Sequence, residues 1–174
     1  MSTGRPLSNR RKVLQLPALT THVRYLRRQG KKVVFANGCF DLLHVGHVTL
    51  LERAKQLGDV LIVAINSDRS TRKLKGPSRP ILSQSDRAKM LAALESVDYV
   101  TIFDEPTPYR FIAALEPDVL IKGLDWSAGE IVGSDVVKRR GGRVVRVPLV
   151  GGFSTTQLIQ RIARHAKPRS APRV

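Results

Sequence analysis

The sequence has little of what several classes of protein need. It contains a single cysteine, Cys39, which excludes an intramolecular disulfide framework and is typical of a reducing compartment. Its longest apolar run, residues 60–65, is far too short to span a bilayer, and the polar, basic residues 1–11 lack the apolar centre of a signal peptide. The sequence therefore predicts a cytoplasmic protein that does not cross a membrane.

Aromatic and acidic residues are also scarce. Only 5% of the residues are aromatic, and 14 acidic residues face 30 lysines and arginines, for a formal net charge of +16. A basic protein attracts polyanions, but few aromatic rings are available for stacking on single-stranded nucleic acid. We interpret the charge mainly as attraction for phosphorylated small molecules and expect no specific nucleic acid partner. A basic nucleic-acid-binding module is the alternative that is not an enzyme.

Apolar runs that fit buried strands alternate with segments of helical spacing. The predicted strands cover residues 33–36, 59–65, 97–103, 119–121 and 143–147. Continuous apolar runs are typical of parallel strands buried on both faces. Their alternation with helices predicts an α/β fold, a Rossmann-like doubly wound parallel five-stranded sheet with helices on both faces. The 174 residues fit one domain, expected at residues 17–166 between basic tails at residues 1–16 and 167–174.

The first predicted strand leads into two histidines. After Asn37 and Gly38 comes a tight loop, and then His44 and His47 stand on either side of Gly46 at the start of a helix. A helix start presents unpaired N–H groups and the positive end of the helix dipole, so it attracts phosphate. Gly46 lets a ligand approach the backbone, and both imidazoles can donate hydrogen bonds to phosphate oxygens. The segment predicts a phosphate site with His44 and His47 as catalytic residues.

Ligands of doubly wound sheets bind beyond the carboxyl ends of the strands, where a second basic segment is also expected. Residues 69–83 are predicted to form a loop punctuated by Gly and Pro, with Lys75 as a catalytic clamp on the β- and γ-phosphates of a nucleotide. Lys73 and Arg79 on this loop and Arg87 on the next helix are candidates for binding phosphate or the acceptor. The alternatives are a solvated charged loop and, for Arg87, a surface ion pair.

The remaining candidates for nucleotide binding follow the first and fourth strands and surround the start of the last helix. They are Gly38, Cys39, Phe40, Asp41, Gly46, Lys122, Gly123, Asp125, Gly152, Phe153, Ser154, Thr155 and Thr156. Glycines permit a close approach to phosphate, and the hydroxyls of residues 154–156 can both cap the helix and bind phosphate. For Asp41, orienting a histidine and capping locally are the alternatives.

The predicted site consists of cations and hydrogen-bond donors around an anion, and no metal-ligand set is apparent in the sequence. Such a site suits nucleotidyl transfer, where positioning and charge stabilisation supply most of the catalysis. We therefore predict that an acceptor phosphate attacks the α-phosphorus of a nucleoside triphosphate in line and that pyrophosphate leaves. Mg²⁺ is expected to enter with the nucleotide, because the phosphate charges must be neutralised.

Several blocks of the sequence resemble a known family. Gly38-Cys-Phe-Asp41 followed by His44-Val-Gly-His47 resembles the HxGH signature of the nucleotidyltransferase superfamily. The blocks at 63–68, 73–80, 94–98, 122–125 and 152–156 are similar to the adenylyltransferase domain of ADP-heptose synthases. The resemblance implies transfer of AMP from ATP to D-glycero-β-D-manno-heptose 1-phosphate, for lipopolysaccharide synthesis, with Mg²⁺ bound to ATP. We also expect a homodimer.

Two departures from related families bear on the details. Glycerol-phosphate cytidylyltransferases share the HxGH residues but have an Arg-Thr pair where this sequence has Leu149 and Val150. A CTP-dependent transferase acting on glycerol 3-phosphate or a similar alcohol phosphate is therefore the alternative enzyme. Bifunctional heptose proteins have a sugar kinase before this domain, and the residues before Val33 are too few for one. We expect a stand-alone transferase with a separate kinase acting upstream.

Overall fold

The computed structural model describes residues 9–123, 131–148 and 154–166, in which helices and strands alternate. The helices are α1 (Asn9–Lys12), α2 (Leu16–Arg28), α3 (Val45–Lys55), α4 (Asp68–Lys75), α5 (Gln84–Ala93), α6 (Tyr109–Leu115), α7 (Ser134–Arg139) and α8 (Thr155–Ala166). The strands are β1 (Val33–Gly38), β2 (Val60–Asn66), β3 (Tyr99–Phe103), β4 (Val119–Gly123) and β5 (Arg143–Val147).

The strands form one parallel five-stranded sheet in the order β3-β2-β1-β4-β5. The chain runs outward from β1 to β3 and then returns to the other side of β1, so β1 is the central strand and the switch point lies beside it. The predicted Rossmann-like, doubly wound sheet is confirmed. β1 continues through Asn37 and Gly38, where the sequence predicts a break.

Successive strand residues point to opposite faces of the sheet. Because the strands are largely continuous apolar runs, both faces are apolar. In β1, Val33 and Phe35 join the core under α2, α6 and α7, which we call the first face. Val34 and Ala36 join the core under α3 and α5, the second face. Each fully buried aliphatic or aromatic side chain contributes roughly 1.5–3 kcal/mol, so the two cores hold the carboxyl ends of the strands in a fixed arrangement.

The basic segment after β2 is a helix, and the prediction of a loop over residues 69–83 is wrong for its first part. Ser67 caps α4, accepting a hydrogen bond from the Ser70 N–H, and Asp68 lies in the first turn. Arg72 and two lysines lie in its last turn, where positive charge favours the helix dipole. Gly76, with a φ of 97°, follows the helix end. The lysines expected on a loop therefore stand on a short helix.

The chain also packs against the sheet before residue 17, where the sequence predicts the domain to begin. Val13 forms a parallel bridge with Val100 of β3, and the Leu14 N–H donates to the Val100 carbonyl at 2.9 Å. Lys12 Nζ donates to the carbonyls of Leu94 and Val97 at 3.2 and 2.7 Å. Residues 9–16 are thus part of the domain rather than of a tail. Residues 1–8 and the predicted tail at 167–174 lie outside the described residues.

Candidate active site

The carboxyl ends of the three inner strands meet beside the switch point. β1 ends at Gly38, with β2 ending at Asn66 on one side and β4 ending at Gly123 on the other. Doubly wound sheets bind their ligands at this place, beyond the strand ends. The predicted site residues that follow β1, β2 and β4 therefore share one edge of the sheet.

The two histidines lie together at the start of α3. His44 is the residue before the helix and His47 lies in its first turn. Their rings stack with centroids 3.7 Å apart and planes at 20°. The Phe40 ring lies against His47, with centroids 5.0 Å apart. The helix start thus presents two adjacent imidazoles, as the sequence predicts.

Gly38 and Phe40 shape the loop that supports these rings. Phe40 is almost fully buried and has a φ of 47°, in the left-handed region that non-glycine residues rarely adopt. A Cβ at position 38 would lie 3.1 Å from the Phe40 ring, so glycine gives the ring its space. The structure therefore gives these two residues a part in the loop conformation.

Both histidines are neutral near pH 7. Burial, and then the neighbouring His44, lower the pKa of His47 from 6.5 to about 4, while the Leu42 backbone opposes the change. Burial also lowers the pKa of His44. The Nδ1 atoms of both rings are buried and have no hydrogen-bond partner among the described residues. An anion bound beside the rings would raise both pKa values by favouring the charged form.

The buried carboxylate of Asp41 holds a neighbouring segment of chain. Its carboxylate is 2% exposed. One oxygen accepts the Nε–H of Arg79 at 2.6 Å, and the other accepts the N–H groups of Ile81 and Leu82 at 2.7 and 3.1 Å. Asp41 therefore ties residues 79–82 to the loop before the histidines, which differs from its predicted contact with the nucleotide. The Arg79 side chain keeps 15% of its surface exposed.

Arg87 is also placed differently from its prediction as a phosphate ligand. Its side chain has no exposed surface. Nη1 donates to the Cys39 carbonyl at 2.5 Å, and Nε donates to the Leu82 carbonyl at 3.1 Å. Nη2 donates to the Asn66 carbonyl at 2.9 Å and pairs with the Asp68 carboxylate at 2.8 Å. A guanidinium enclosed in this way joins the segments around the site and is not open to a phosphate.

Lys73 and Lys75 are exposed on the last turn of α4. The chain then returns through Gly76 to Arg79, which pairs with Asp41. The predicted phosphate clamp thus stands on a helix whose end is connected to the histidine loop.

The candidates after β4 and before α8 are only partly described. Lys122 is 9% exposed and stands beside Arg146 of β5 in the sheet register. The Ser154 hydroxyl accepts the N–H of Gln157 at 3.1 Å, which is the capping contact that the sequence predicts as one alternative. Thr155 and Thr156 begin α8. Asp125, Gly152 and Phe153 lie outside the described residues.

A family model described as cytidylyltransferase-like matches residues 35–161, from β1 into α8. The chain belongs to the cytidylyltransferase-like family. The match includes every residue that the sequence predicts for the site, from Gly38 to Thr156.

Curated relatives are similar over most of this chain. The bifunctional protein HldE of Syntrophotalea carbinolica is 57% identical over 136 residues, which are 78% of this chain and 28% of that protein. The bifunctional protein HldE of Geobacter metallireducens is 52% identical over 153 residues, or 88% of this chain and 31% of that protein. The chain therefore spans less than a third of the length of these relatives.

Two solved structures share the fold. A lipopolysaccharide core biosynthesis protein from Thermoplasma volcanium has a TM-score of 0.57 and 30% identity, covering 70% of this chain and 98% of that one. Pantoate–β-alanine ligase from Francisella tularensis has a TM-score of 0.57 at 16% identity, covering 87% of this chain and 78% of that one, and it shows the fold alone. The family match, the HldE relatives and the Thermoplasma volcanium protein confirm the resemblance to HxGH nucleotidyltransferases and to the ADP-heptose synthase domain.

Sequence reasoning missed several polar residues beside the site. Asn66 donates to the Ser70 hydroxyl at 2.9 Å, and its oxygen accepts the Cys39 thiol at 3.6 Å. Ser67, besides capping α4, donates to Asp104, which also pairs with Arg69. The Asn66-Ser67-Asp68 run at the end of β2 was the available signal, but its partners Cys39 and Asp104 are distant in sequence.

A cleft of about 590 Å³ lies at the ends of β2 and β3, between the starts of α4 and α5. Ser67, Asp68, Arg69, Arg72, Gln84 and Asp104 are among its lining residues, and neither histidine is. We place the chemistry at the histidines, because the stacked rings have buried nitrogen atoms without partners. Within the described ranges, no helix combines the length and the apolar character needed to cross a membrane.

Proposed function

We propose that the protein transfers AMP from ATP to D-glycero-β-D-manno-heptose 1-phosphate, giving ADP-heptose and pyrophosphate for lipopolysaccharide core synthesis. The proposal rests on the stacked histidine pair at the start of α3, next to the switch point of the sheet. The similarity to bifunctional HldE proteins and to a lipopolysaccharide core biosynthesis protein supports the choice of acceptor.

In the proposed reaction, a phosphate oxygen of the sugar 1-phosphate attacks the α-phosphorus of ATP. A new bond forms between this oxygen and the α-phosphorus, while the bond between the α-phosphorus and the α,β-bridging oxygen breaks. Pyrophosphate leaves on the side opposite to the attacking oxygen. The attacking oxygen is already anionic, so no base has to remove a proton. His44 and His47 donate hydrogen bonds to α-phosphate oxygens as negative charge develops there, and the N–H groups at the start of α3 assist them.

Lys75, Lys73 and the guanidinium of Arg79 are proposed to contact the β- and γ-phosphates. Both lysines are exposed on the last turn of α4, and Arg79 is fixed by Asp41. A charge that balances the leaving pyrophosphate becomes more important as the bond breaks, so these residues act mainly in the transition state.

Magnesium is proposed to enter as the MgATP complex, as part of the substrate. Among the described residues, no group of three or more His, Cys, Asp or Glu side chains is arranged to hold a metal ion. Two described carboxylates beside the site are already paired, Asp41 with Arg79 and Asp68 with Arg87. The proposal therefore assigns the binding of magnesium to the phosphates of the nucleotide.

The test crosses ATP and CTP with heptose 1-phosphate, mannose 1-phosphate and glycerol 3-phosphate, and measures pyrophosphate release without nucleic acid. We expect the highest kcat/KM with ATP and heptose 1-phosphate. Because the family is described as cytidylyltransferase-like, CTP with glycerol 3-phosphate is the specific competitor. An equal or higher kcat/KM with CTP would reject the adenylyltransferase assignment, and no turnover with any pair would favour a nucleic-acid-binding module.

We also propose that the enzyme works in the cytoplasm as a homodimer. The strong amphipathic pattern of α8 and the 61% exposure of Ile162 on it support a partner surface. Sedimentation velocity at micromolar protein distinguishes a dimer from a monomer.

A further inference from the structure

Asn37 at the end of β1 has an unusual environment. Six side-chain polar atoms are buried without a hydrogen-bond partner among the described residues, and three of them belong to Asn37, His44 and His47. For Asn37 the atom is the carboxamide oxygen, Oδ1. Buried polar groups are nearly always paired in folded proteins, so an unpaired one beside a binding site indicates a partner supplied by the ligand.

The sheet register fixes the direction of this side chain. Asn37 pairs with Ala64 of β2, which pairs with Thr101 of β3. Strand residues alternate between faces, and Ala36 belongs to the core of the second face, so Asn37 points to the first face. The histidines start α3, which packs on the second face through Leu51 and Ala54. Asn37 and the histidines therefore flank the switch point from opposite sides.

In an in-line displacement, the attacking group and the leaving group lie on opposite sides of the α-phosphorus. The two sides of the switch point match this arrangement. Residues 79–82 are bonded to Asp41 and to Arg87 of α5, which packs on the second face, and they follow the lysines of α4. These groups would draw the leaving pyrophosphate toward the second face. The attacking acceptor must enter from the opposite direction, which is the side of Asn37.

The hydrogen-bonding groups of the Asn37 carboxamide indicate which part of the acceptor it can bind. Oδ1 needs a donor, and a phosphate at neutral pH offers mainly acceptors. A sugar hydroxyl both donates and accepts, so it can pair with the oxygen and the amino group of a carboxamide. We propose that Asn37 binds a hydroxyl of the sugar of the acceptor and thereby selects sugar phosphates. This assignment rests on the proposed function.

The first experiment compares Asn37→Leu with Thr101→Val. Leucine has the same number and branching of side-chain heavy atoms as asparagine but no polar atoms. Thr101 is a matched control, since its hydroxyl is also buried and unpartnered and shares the row and face of Asn37, away from the reacting groups. For Asn37→Leu we expect KM for heptose 1-phosphate to rise about tenfold. KM for ATP should stay within about twofold, and the melting temperature without ligand should not fall. Thr101→Val should change neither KM.

Other outcomes contradict the assignment. A rise in KM for ATP alone would mean that Asn37 contacts the nucleotide. A rise in both KM values together with a lower melting temperature would mean a structural role. Unchanged KM values would mean no contact with either substrate.

A second experiment uses monodeoxy sugar 1-phosphates. For the wild type, one deoxy position should lower kcat/KM by about tenfold, and for Asn37→Leu the same deletion should have no effect. If each deoxy position lowered kcat/KM equally in both proteins, the assignment of Asn37 would be overturned, while the proposed function would stand. Absence of sugar phosphate turnover in the wild type would instead reject the proposed function, and this assignment with it.

Discussion

The stacked imidazoles of His44 and His47 have properties that follow from their separation. Rings with centroids 3.7 Å apart repel each other when both are protonated, and burial disfavours even one charge. Neutral rings keep one N–H each for an anion, and a bound phosphate then favours protonation. In the proposed reaction, the pair would thus respond to the charge of the α-phosphate, which increases in the transition state.

Replacing either histidine by alanine should lower kcat by a factor of roughly a hundred to a thousand, the usual effect of losing one transition-state donor. The fold should persist, because both rings stand at a helix start rather than in either core. His22→Ala is the control, since His22 is an exposed histidine of α2 that lies against Tyr99. Steady-state kinetics with circular dichroism make the test, and near-normal turnover in a folded His44 or His47 variant would contradict the assignment.

The lowered pKa of His47 also predicts a pH dependence of stability. The unfolded chain binds a proton near pH 6.5 and the folded protein only near pH 4, so the unfolded state holds more protons between these values. The free energy of unfolding should therefore fall on acidification through this window, by up to about 1.4 kcal/mol per pH unit. His47→Asn should remove most of this slope in denaturant titrations.

Two carboxylates mark a separate pH range and serve as an internal reference. A hydrogen bond from the Lys32 backbone lowers the pKa of Asp59, and one from the Ser83 side chain lowers that of Asp86, both below 3.8. Their stabilisation is present above that value and is lost only as the pH falls through the lowered pKa. A wild-type slope between pH 6.5 and 4 that persists in His47→Asn would show that another group is responsible.

Residue roles were predictable where the partners are close in sequence. The histidines, the glycine between them and the helix start form one short motif, so their meeting follows from local structure. Asp41 and Arg87 were misassigned because their partners are distant, 38 residues away for Arg79 and 48 for the Cys39 carbonyl. The residue types indicated charged side chains at the edge of the sheet, but the direction in which each side chain points depended on tertiary packing.

Among the elements, α4 differs most from its prediction and changes the view of the phosphate clamp. Gly76, Pro77 and the dense positive charge suggested a loop, whereas Ser67 and Asp68 form a favourable helix start. A helix holds Lys73 and Lys75 at fixed separations, so the proposed binding of pyrophosphate would cost less conformational entropy than binding by a loop.

Lys75→Ala should therefore lower kcat while the melting temperature without ligand stays nearly unchanged, because an exposed charge contributes little to stability. Lys89→Ala is the matched control, an exposed lysine of α5 with a loose contact to Asp86 at 3.6 Å. Unchanged kcat for Lys75→Ala would mean a solvated surface charge. A joint fall of kcat and melting temperature would mean a structural role.

Arg87, unlike the exposed lysines of α4, is buried and connects several elements. Its donors reach the end of β1, the end of β2, the start of α4 and the segment before α5. Replacing it with methionine leaves these carbonyls and the Asp68 carboxylate unpaired, which should cost about 3–5 kcal/mol. Thermal and urea unfolding measure this loss. Arg110→Met, which removes an exposed pair with Glu105, should change stability by less than about 1 kcal/mol.

At the scale of the whole molecule, the sheet was predictable and its outer edge was not. Five apolar runs separated by helices allow few arrangements, since parallel strands need crossovers of one hand. The edge strand β3 gives no sign in its own sequence of what covers it. Val13 and Leu14 supply that cover, but they follow basic residues that read as a tail.

The cover on β3 leads to a prediction for the assembly of the protein. β3 pairs with β2 on its inner side, and on its outer side only residues 13 and 14 are bonded to it within the described ranges. An uncovered edge strand presents unpaired N–H and C=O groups that bind other strands. We therefore expect residues 9–14 both to stabilise the domain and to prevent association through β3.

Deleting residues 1–14 should lower the free energy of unfolding by about 2 kcal/mol or more, through lost apolar burial and lost hydrogen bonds, and the melting temperature by roughly 4–8 °C. The deletion of residues 1–8 is the reference, because it keeps residues 12–14 and their contacts with Leu94, Val97 and Val100. Light scattering should show species larger than a dimer only for the longer deletion, since the exposed edge pairs without a closed symmetry. The melting temperature of Lys12→Met should lie between those of the two deletions. This substitution leaves the Leu94 and Val97 carbonyls without their donor, while the bridge to Val100 remains. Equal melting temperatures and equal scattering for the two deletions would mean that residues 9–14 neither stabilise the fold nor protect its edge.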